Sequence, residues 1–258
     1  MNQELDFTGK TVIVTGGGKG VGAGITQRFL EKGANVVICG RNAPETLPEG
    51  AGRKAVFMVC DVRDWEQVQK LVQSTVEQFG SLDVLVNNAG GAPHADAATV
   101  SPRFSEKIIS LNLLAPLYCC QAANAVMQKQ PNGGAIINIA SVSALRPSPG
   151  TAAYGAAKAG LMNLTTSLAV EWAPKVRLNS IAAGLIRTEQ AHMHYGDEGG
   201  MAAVSATIPL GRMANPTDIG DVCLFLGSPL SSYVTGASLT VHGGGEKPAF
   251  LDAGNAGN

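Results

Sequence analysis

Charge is what this 258-residue chain has little of. Only 15% of its residues are Asp, Glu, Lys or Arg, and the formal net charge is −1 with no long block of one sign. A nucleic acid or an anionic membrane as the main partner calls for a basic face, so neither is expected. No apolar run reaches the ~18 residues that span a bilayer. The first ten residues are polar and acidic rather than a basic-then-apolar leader, so a cytoplasmic protein is expected. None of the five cysteines (Cys39, Cys60, Cys119, Cys120 and Cys223) forms a C-x-x-C pair, and all lie in or beside apolar segments. That favours buried reduced thiols over disulfides or a zinc site. His192 and His194 lack a convergent third ligand, so no metal is expected. What the chain does have is core: 45% of it is apolar, and its length suits one large α/β domain and is short for two.

The stretch that organises the rest is Tyr154-Gly155-Ala156-Ala157-Lys158, inside a predicted long helix over Thr151–Trp172. Four residues are about one helical turn, so Tyr154 and Lys158 share a face. An ammonium beside a phenol favours phenolate, which brings a group that normally titrates near ~10 toward proton transfer at neutrality. Alone, such a pair fits a half-buried Tyr with a solvated Lys equally well.

At the start of the chain, KTVIVT (Lys10–Thr15) reads as a strand buried on both faces. Gly16-Gly17-Gly18-Lys19-Gly20-Val21-Gly22 follows, then a helix from Ala23 to Lys32. Strand, glycine turn and helix start form a phosphate site, although the spacing is G-x-x-x-G-x-G rather than G-x-G-x-x-G. The second strand, Asn35–Cys39, ends in Gly40-Arg41, where a dinucleotide fold meets the adenosine ribose. No carboxylate stands there, and the cations Lys19 and Arg41 favour NADP over NAD. Asn42–Lys54, broken by prolines and glycines, is expected to be a loop. After the third strand (Ala55–Cys60), Asp61 either accepts from an adenine amino group or caps the next helix, a job open to Asp64 too. That helix, Asp64–Phe79, buries Val68, Leu71, Val72, Val76 and Phe79, and Gly80 ends it.

The fourth strand (Leu82–Val86) runs into Asn87-Asn88-Ala89-Gly90-Gly91, whose amides can tie strands together and shape the floor under a ribose. His94 reads as a surface residue first and a pocket-rim residue second. A long helix over Ser101–Gln130 should kink at Pro116, with Asn112 holding a water or a backbone carbonyl at the kink. The fifth strand, Ala135–Ala140, delivers Ser141 to the carboxyl end of the sheet, where open α/β sheets bind ligands. The sixth, Val176–Ile181, leads through Gly184, Ile186 and Thr188 into a segment expected to be a mobile lid, in which Leu185, Met193, Tyr195 and Met201 either line an apolar pocket or pack the lid itself. A helix opens at Asn215-Pro216-Thr217-Asp218, and a seventh strand covers Ser238–Val241.

Strands alternate with helices throughout, so the expected fold is α/β of Rossmann type, a doubly wound, seven-stranded parallel sheet with helices on both faces. One dinucleotide-binding oxidoreductase domain would span 1–258, with a substrate lid at 187–212 and a flexible tail at 248–258 carrying Phe250 and Leu251.

Thr15-Gly16-x-x-x-Gly20-x-Gly22, Asp61, Asn87-Asn88-Ala89-Gly90, Asn112, Ser141 and Tyr154-x-x-x-Lys158, in this order, resemble the short-chain dehydrogenase/reductase family over about residues 7–247. The plan is similar to that of its 3-oxoacyl-carrier-protein reductases. The resemblance implies that Tyr154 gives a proton to a substrate carbonyl oxygen as hydride arrives from the nicotinamide. Lys158 would keep Tyr154 acidic and hold the ribose hydroxyls, Ser141 would fix the carbonyl, and Asn112 would hold a water that relays protons. Gly16, Gly18, Lys19, Gly20, Val21, Gly22, Arg41, Asp61, Val62, Asn88, Ala89, Gly90 and Gly184 would join Tyr154 and Lys158 around NADP(H), with Ile186 and Thr188 on the carboxamide. Two departures stand out. Ala183 replaces the family's usual proline, which should loosen the loop, and a short segment after Arg41 should open the adenosine edge. The partner is then a small carbonyl or alcohol, and the family's helix pairing implies a homodimer or homotetramer. Three functions are carried forward: NADPH-dependent reduction of a ketone of 3-oxoacyl type, oxidation of a hydrophobic secondary alcohol such as a steroid or hydroxyacyl compound, and dinucleotide sensing without turnover. A carrier-protein reductase needs a basic docking patch, for which Lys129, Lys175 and Arg177 are the candidates.

Overall fold

The computed structural model describes residues 5–246 and Pro248. The expected tail, Pro248 apart, lies outside the described residues. In chain order the elements are β1 (Thr11–Thr15), α1 (Gly20–Glu31), β2 (Asn35–Gly40), β3 (Glu49–Gly50), β4 (Arg53–Lys54), β5 (Val56–Val59), α2 (Trp65–Phe79), β6 (Val84–Asn87) and α3 (Pro102–Ile109). A π-helical turn (Ser110–Leu114) follows, then α4 (Ala115–Met127), β7 (Gly134–Ser141), α5 (Ala152–Trp172), β8 (Val176–Ala183), α6 (His192–Tyr195), α7 (Glu198–Ala206), α8 (Pro216–Gly227) and β9 (Ser238–Val241).

Seven strands form one parallel sheet in the order β5-β2-β1-β6-β7-β8-β9, as expected. The order reverses between β1 and β6, and the ligand-binding crevice of an open α/β sheet lies at that switch point. The sheet is apolar on both faces because each face has its own helical layer. Val12 and Val14 of β1 join Ile25 and Phe29 of α1 and Ile219 and Cys223 of α8 in one cluster. Ile13, between them, faces the other cluster with Val68 and Leu71 of α2, Cys119 and Cys120 of α4 and Leu168 of α5. Glycines let α1 and α8 touch. A Cβ on Gly24 would meet Pro216 at 2.4 Å, and one on Gly220 would meet Arg28 at 2.6 Å. All five cysteines are free and buried. Asp64, not Asp61, caps α2, accepting from the Gln67 N–H at 3.1 Å, and Gly80 ends that helix in the left-handed region.

Three expectations change. The loop expected over Asn42–Lys54 contains a hairpin, β3–β4, turned at Ala51 and Gly52, both with positive φ. The helix expected over Ser101–Gln130 is broken one turn before Pro116. Pro116 has no N–H for the Asn112 carbonyl four residues back, and a π turn closed by the Ala115 N–H on the Ser110 carbonyl takes up the mismatch. Pro102–Met127 is also, by length (26 residues) and mean hydropathy (1.2), apolar enough to cross a membrane. Its α4 portion packs against β6 and β7, which accounts for that composition.

Candidate active site

A cavity of about 470 Å³ opens at the carboxyl ends of β1, β7 and β8. Its walls include Gly16, Lys19, Gly20, Val21, Gly22, Arg41, Asn88, Ala89, Gly90, Ser141, Tyr154, Lys158, Gly184, Ile186 and Thr188, so most of the expected site residues converge. Gly18, Asp61, Val62 and Asn112 are not in its walls. Gly18 lies under Pro44, 3.0 Å from the position of an added Cβ. Asp61 and Val62 line an adjoining side pocket that shares Gly16, Arg41 and Ala89 with the main cavity.

The glycine turn is shaped by close approach. Gly16 has φ +64°, and a Cβ on Gly22 would sit 2.3 Å from the Gly16 carbonyl oxygen. Gly17, which the sequence did not single out, is equally constrained, since its Cβ would meet Ile38 at 2.5 Å. The floor beside the turn is tied as expected. Thr15 Oγ1 accepts from the N–H groups of Asn88 and Ala89, each at 3.0 Å, and Asn88 Nδ2 donates to the Thr15 carbonyl at 2.9 Å. Asn87 Nδ2 donates to Asn138 Oδ1 at 2.8 Å, and Asn138 Nδ2 to Thr165 Oγ1 at 2.9 Å, joining β6, β7 and α5 through the core.

Ser141 ends β7, and its Oγ accepts from the Ser143 N–H at 3.1 Å. A Cβ on Gly155 would lie 2.8 Å from the Ser143 carbonyl oxygen, so glycine there lets the start of α5 approach this turn and brings Tyr154 beside Ser141. A glycine inside a helix gives no sign in sequence of what it lies against. Burial pushes the Tyr154 phenol up from its ordinary value, and the hydrogen bond with Ser141 pulls it back. Lys158 is 3% exposed, and its Nζ donates to the Ile139 carbonyl at 2.7 Å and stands 5.6 Å from the Tyr154 ring centre. Burial lowers its amine to about 8. The pull on Tyr154 that was expected from Lys158 therefore comes from Ser141 in this geometry.

Asn112, fully buried in the π turn, donates to the Ile108 carbonyl at 2.9 Å and the Gly91 carbonyl at 3.0 Å, and accepts from the Gly91 N–H at 2.8 Å. Of its two expected roles, the backbone-carbonyl one is realised. A Cβ on Gly90 would meet Asn112 Oδ1 at 2.7 Å and Lys158 Nζ at 3.3 Å, so Gly90 is where Asn112 and Lys158 come together.

At the adenosine edge Lys19 and Arg41 are exposed on the cavity wall. The Asp61 carboxylate, for which an adenine contact and a helix cap were the two expected roles, is held by Arg63 at 2.6 and 2.9 Å, which lowers it below the usual carboxylate range. Arg63, two residues along the same turn, escaped the sequence reading because its partner is local. The segment that follows Ala183 is held by backbone hydrogen bonds. Gly184 N–H bonds Val241, Ala214 N–H bonds Leu185 and Arg187 N–H bonds Ala214, pinning the base of the lid. In the 187–212 segment, α6 and α7 are separated by Gly196, and Asp197 caps α7. Met201 is buried in lid packing, and Leu185 faces a different pocket. Met193 is exposed, and Tyr195 lies close enough to Tyr154 to affect its proton. His192 Nδ1 sits 3.1 Å from the Glu189 carbonyl, and the His194 side chain lies outside the described residues. His94 is exposed, its ring against Gly150. No cluster of three metal-ligating side chains exists among the described residues. Glu189, also unexpected, accepts from the Gly20 N–H at 2.8 Å.

A glycine turn that added side chains would fill, a helix start and two exposed cations make a cradle fit for a dinucleotide. Fold and site define an α/β oxidoreductase, and the chain belongs to the short-chain dehydrogenase/reductase family, whose members use a nicotinamide dinucleotide. A family profile described as enoyl-(acyl carrier protein) reductase matches residues 16–246. Among individual proteins, the chain is 39% identical to the 3-oxoacyl-(acyl-carrier-protein) reductase FabG of Chlamydia trachomatis, over 91% of this chain and 96% of that one. It is 35% identical to a 3alpha-hydroxysteroid dehydrogenase of Mediterraneibacter gnavus, over 91% and 96%. The aldohexose dehydrogenase structure of Thermoplasma acidophilum superposes with a TM-score of 0.85 at 29% identity, covering 93% of this chain and 94% of that one.

Proposed function

We propose that the protein reduces a ketone to a secondary alcohol at the expense of NADPH, with a 3-oxoacyl thioester as the leading substrate class. The observation that carries this is the meeting of Ser141, Tyr154 and Lys158 on one cavity that Lys19 and Arg41 also line. The Ser141 and Tyr154 hydroxyls hold the carbonyl oxygen, where negative charge builds as the carbon is reduced. Tyr154 gives that oxygen its proton. The phenol, protonated at neutral pH at its ordinary value and pushed further up by burial, starts in the form that suits the reducing direction. The Lys158 ammonium offsets the phenolate that forms and holds ribose hydroxyls. Asn112 holds the Gly91 backbone and, across Gly90, bounds the space beside Lys158. A bound nicotinamide supplies the hydride. Lys19 and Arg41 take the 2′-phosphate, which sets NADPH above NADH.

A free thioester is preferred over one carried on an acidic carrier protein, for a structural reason. Arg177 donates to the carbonyls of Leu226, Ser228 and Val234, and Lys175 to that of Gln130. Arg177, in β8, and Lys175, one residue before it, lie roughly 20 and 26 Å from Ala183 at the cavity, at about 3.3 Å per residue along the strand. They are not a docking patch beside the site. Secondary-alcohol oxidation is the second reading, supported by similarity to the hydroxysteroid dehydrogenase. The experiment is NADPH oxidation against ketones of graded size, with and without a coenzyme A thioester. Turnover of 3-oxoacyl thioesters supports the first reading. Turnover confined to steroid alcohols with oxidised dinucleotide replaces it with the second, and tight dinucleotide binding without turnover on any substrate replaces both.

A further inference from the structure

The first N–H groups of α1 are the anion site of the glycine turn, and one of them already holds an anion from the protein itself. Glu189, 169 residues along the chain from Gly20, places Oε1 2.8 Å from the Gly20 nitrogen. The bond is solvent-exposed and lies at the main cavity. Glu189 and Gly20 are both walls of the main cavity, and the neighbouring Thr188 methyl lies 3.7 Å from where a Gly20 Cβ would stand. The N-cap residue Lys19 is extended and offers α1 no side-chain cap. A carboxylate at that position therefore gains a charge-assisted hydrogen bond and the favourable end of the helix dipole. It also fastens the entrance of the 187–212 lid to the glycine turn. The same lid base is held by the Arg187 N–H on the Ala214 carbonyl at 2.8 Å.

We propose that Glu189 is an internal stand-in for the cofactor's phosphate, a tether that holds the lid entrance on the glycine turn until a dinucleotide pyrophosphate takes the Gly20 N–H and releases it. The proposal rests on the dinucleotide reading above. It makes lid release and cofactor binding one exchange, in which two anions compete for one donor. The tether then weakens dinucleotide binding by the free energy of its own bond, and in return keeps the lid entrance ordered beforehand.

The test uses the full-length chain, with Glu189→Gln and Glu189→Ala. NADPH and NADH affinities are measured by fluorescence titration, and amide exchange is followed at residues 20–22 and 187–195. Expected are dinucleotide affinities about three- to tenfold tighter in both variants. Without dinucleotide, exchange should be several-fold faster at both segments in Glu189→Ala, and the difference should vanish at saturating NADPH. Unchanged exchange without dinucleotide overturns the tether even if affinity rises, because tighter binding alone also follows from removing a negative charge near the pyrophosphate. Unchanged or weaker affinity overturns the competition. A wild-type chain that binds neither dinucleotide removes the functional reading, and the proposed exchange of anions with it, whereas faster exchange in Glu189→Ala would still locate the tether.

Discussion

Strand β8 has a half-buried cation, Arg177, at its start and a buried one, Lys158 of α5, near its end, and the two are used differently. At its start Arg177 reaches three carbonyls, those of Leu226 at 3.0 Å and of Ser228 and Val234 at 3.3 Å, and so closes the rim between β8 and the end of α8. Near its end, across β7, Lys158 donates to the single carbonyl of Ile139 and faces the main cavity. Burial lowers both groups. A guanidinium starts so high that it keeps its charge, whereas the amine falls to about 8 and changes charge near neutrality. One end of the strand is fixed by a permanent charge, and the other carries a charge that can be withdrawn. The main cavity opens at the second end.

The sharpest way to break this contrast is Tyr154→Phe. Turnover should fall by roughly 10²–10⁴, the range for a general acid, while NADPH affinity stays within about threefold. Steady-state rates beside a binding titration check it, and near-normal turnover removes the proton-donor role.

Lys158→Met should lower turnover by roughly 10²-fold. In the wild-type protein, ketone reduction should decline as pH rises through about 8, where the ammonium is lost, and that step should be missing in the variant. Stability carries the opposite trend. The folded-state value of about 8 lies below the ordinary lysine value of 10.5, so the unfolded chain holds this proton more tightly. Stability therefore rises with pH across that window and is lowest, as far as Lys158 is concerned, below about 8. Denaturant titrations between the two values should show the slope in wild type and its loss in Lys158→Met.

Arg177→Ala should read out the other way. Three carbonyls lose their donor, and stability should drop by about 1–3 kcal/mol in chemical denaturation, with little change in turnover of the folded enzyme. A loss of activity without a loss of stability would erase the distinction between the two ends. The smallest expected effect is Arg41→Ala, which should weaken NADPH by about tenfold and leave NADH nearly unchanged. Equal losses for both dinucleotides would argue against a contact with the 2′-phosphate.

How far the sequence showed all this depends on how local each cause is. KTVIVT followed by glycines and a helix is a local pattern, and the strand, the turn and the cradle follow from it. Tyr154 and Lys158 lie one turn apart on a helix, so their shared face was legible too. Ser141 needed only a strand end. The hairpin at Glu49–Lys54 was not legible, because strands of two residues with charged side chains show no alternation. Pro116 advertised a break in its helix, but the π turn that absorbs it falls on Ser110–Leu114, where the residues look ordinary. Gly155 and Gly17 are fixed by distant atoms, Ser143 O and Ile38 Cγ2, and nothing beside them in the chain says so. Glu189 is the extreme case, since its partner is an N–H group that only folding brings near. The direction of the Tyr154 shift was misjudged for the same reason. Spacing places a cation nearby, but burial and the Ser141 hydroxyl depend on the packed site.

The most direct test of the central claim is a crystal structure of the protein with NADPH and an unreactive ketone analogue. The account predicts the nicotinamide in the cavity at the Ser141 end of the sheet, its hydride-bearing carbon about 3–3.5 Å from the analogue's carbonyl carbon, with the Ser141 and Tyr154 hydroxyls both on the carbonyl oxygen. A nicotinamide bound elsewhere, or a Tyr154 hydroxyl out of hydrogen-bonding reach of that oxygen, would contradict it.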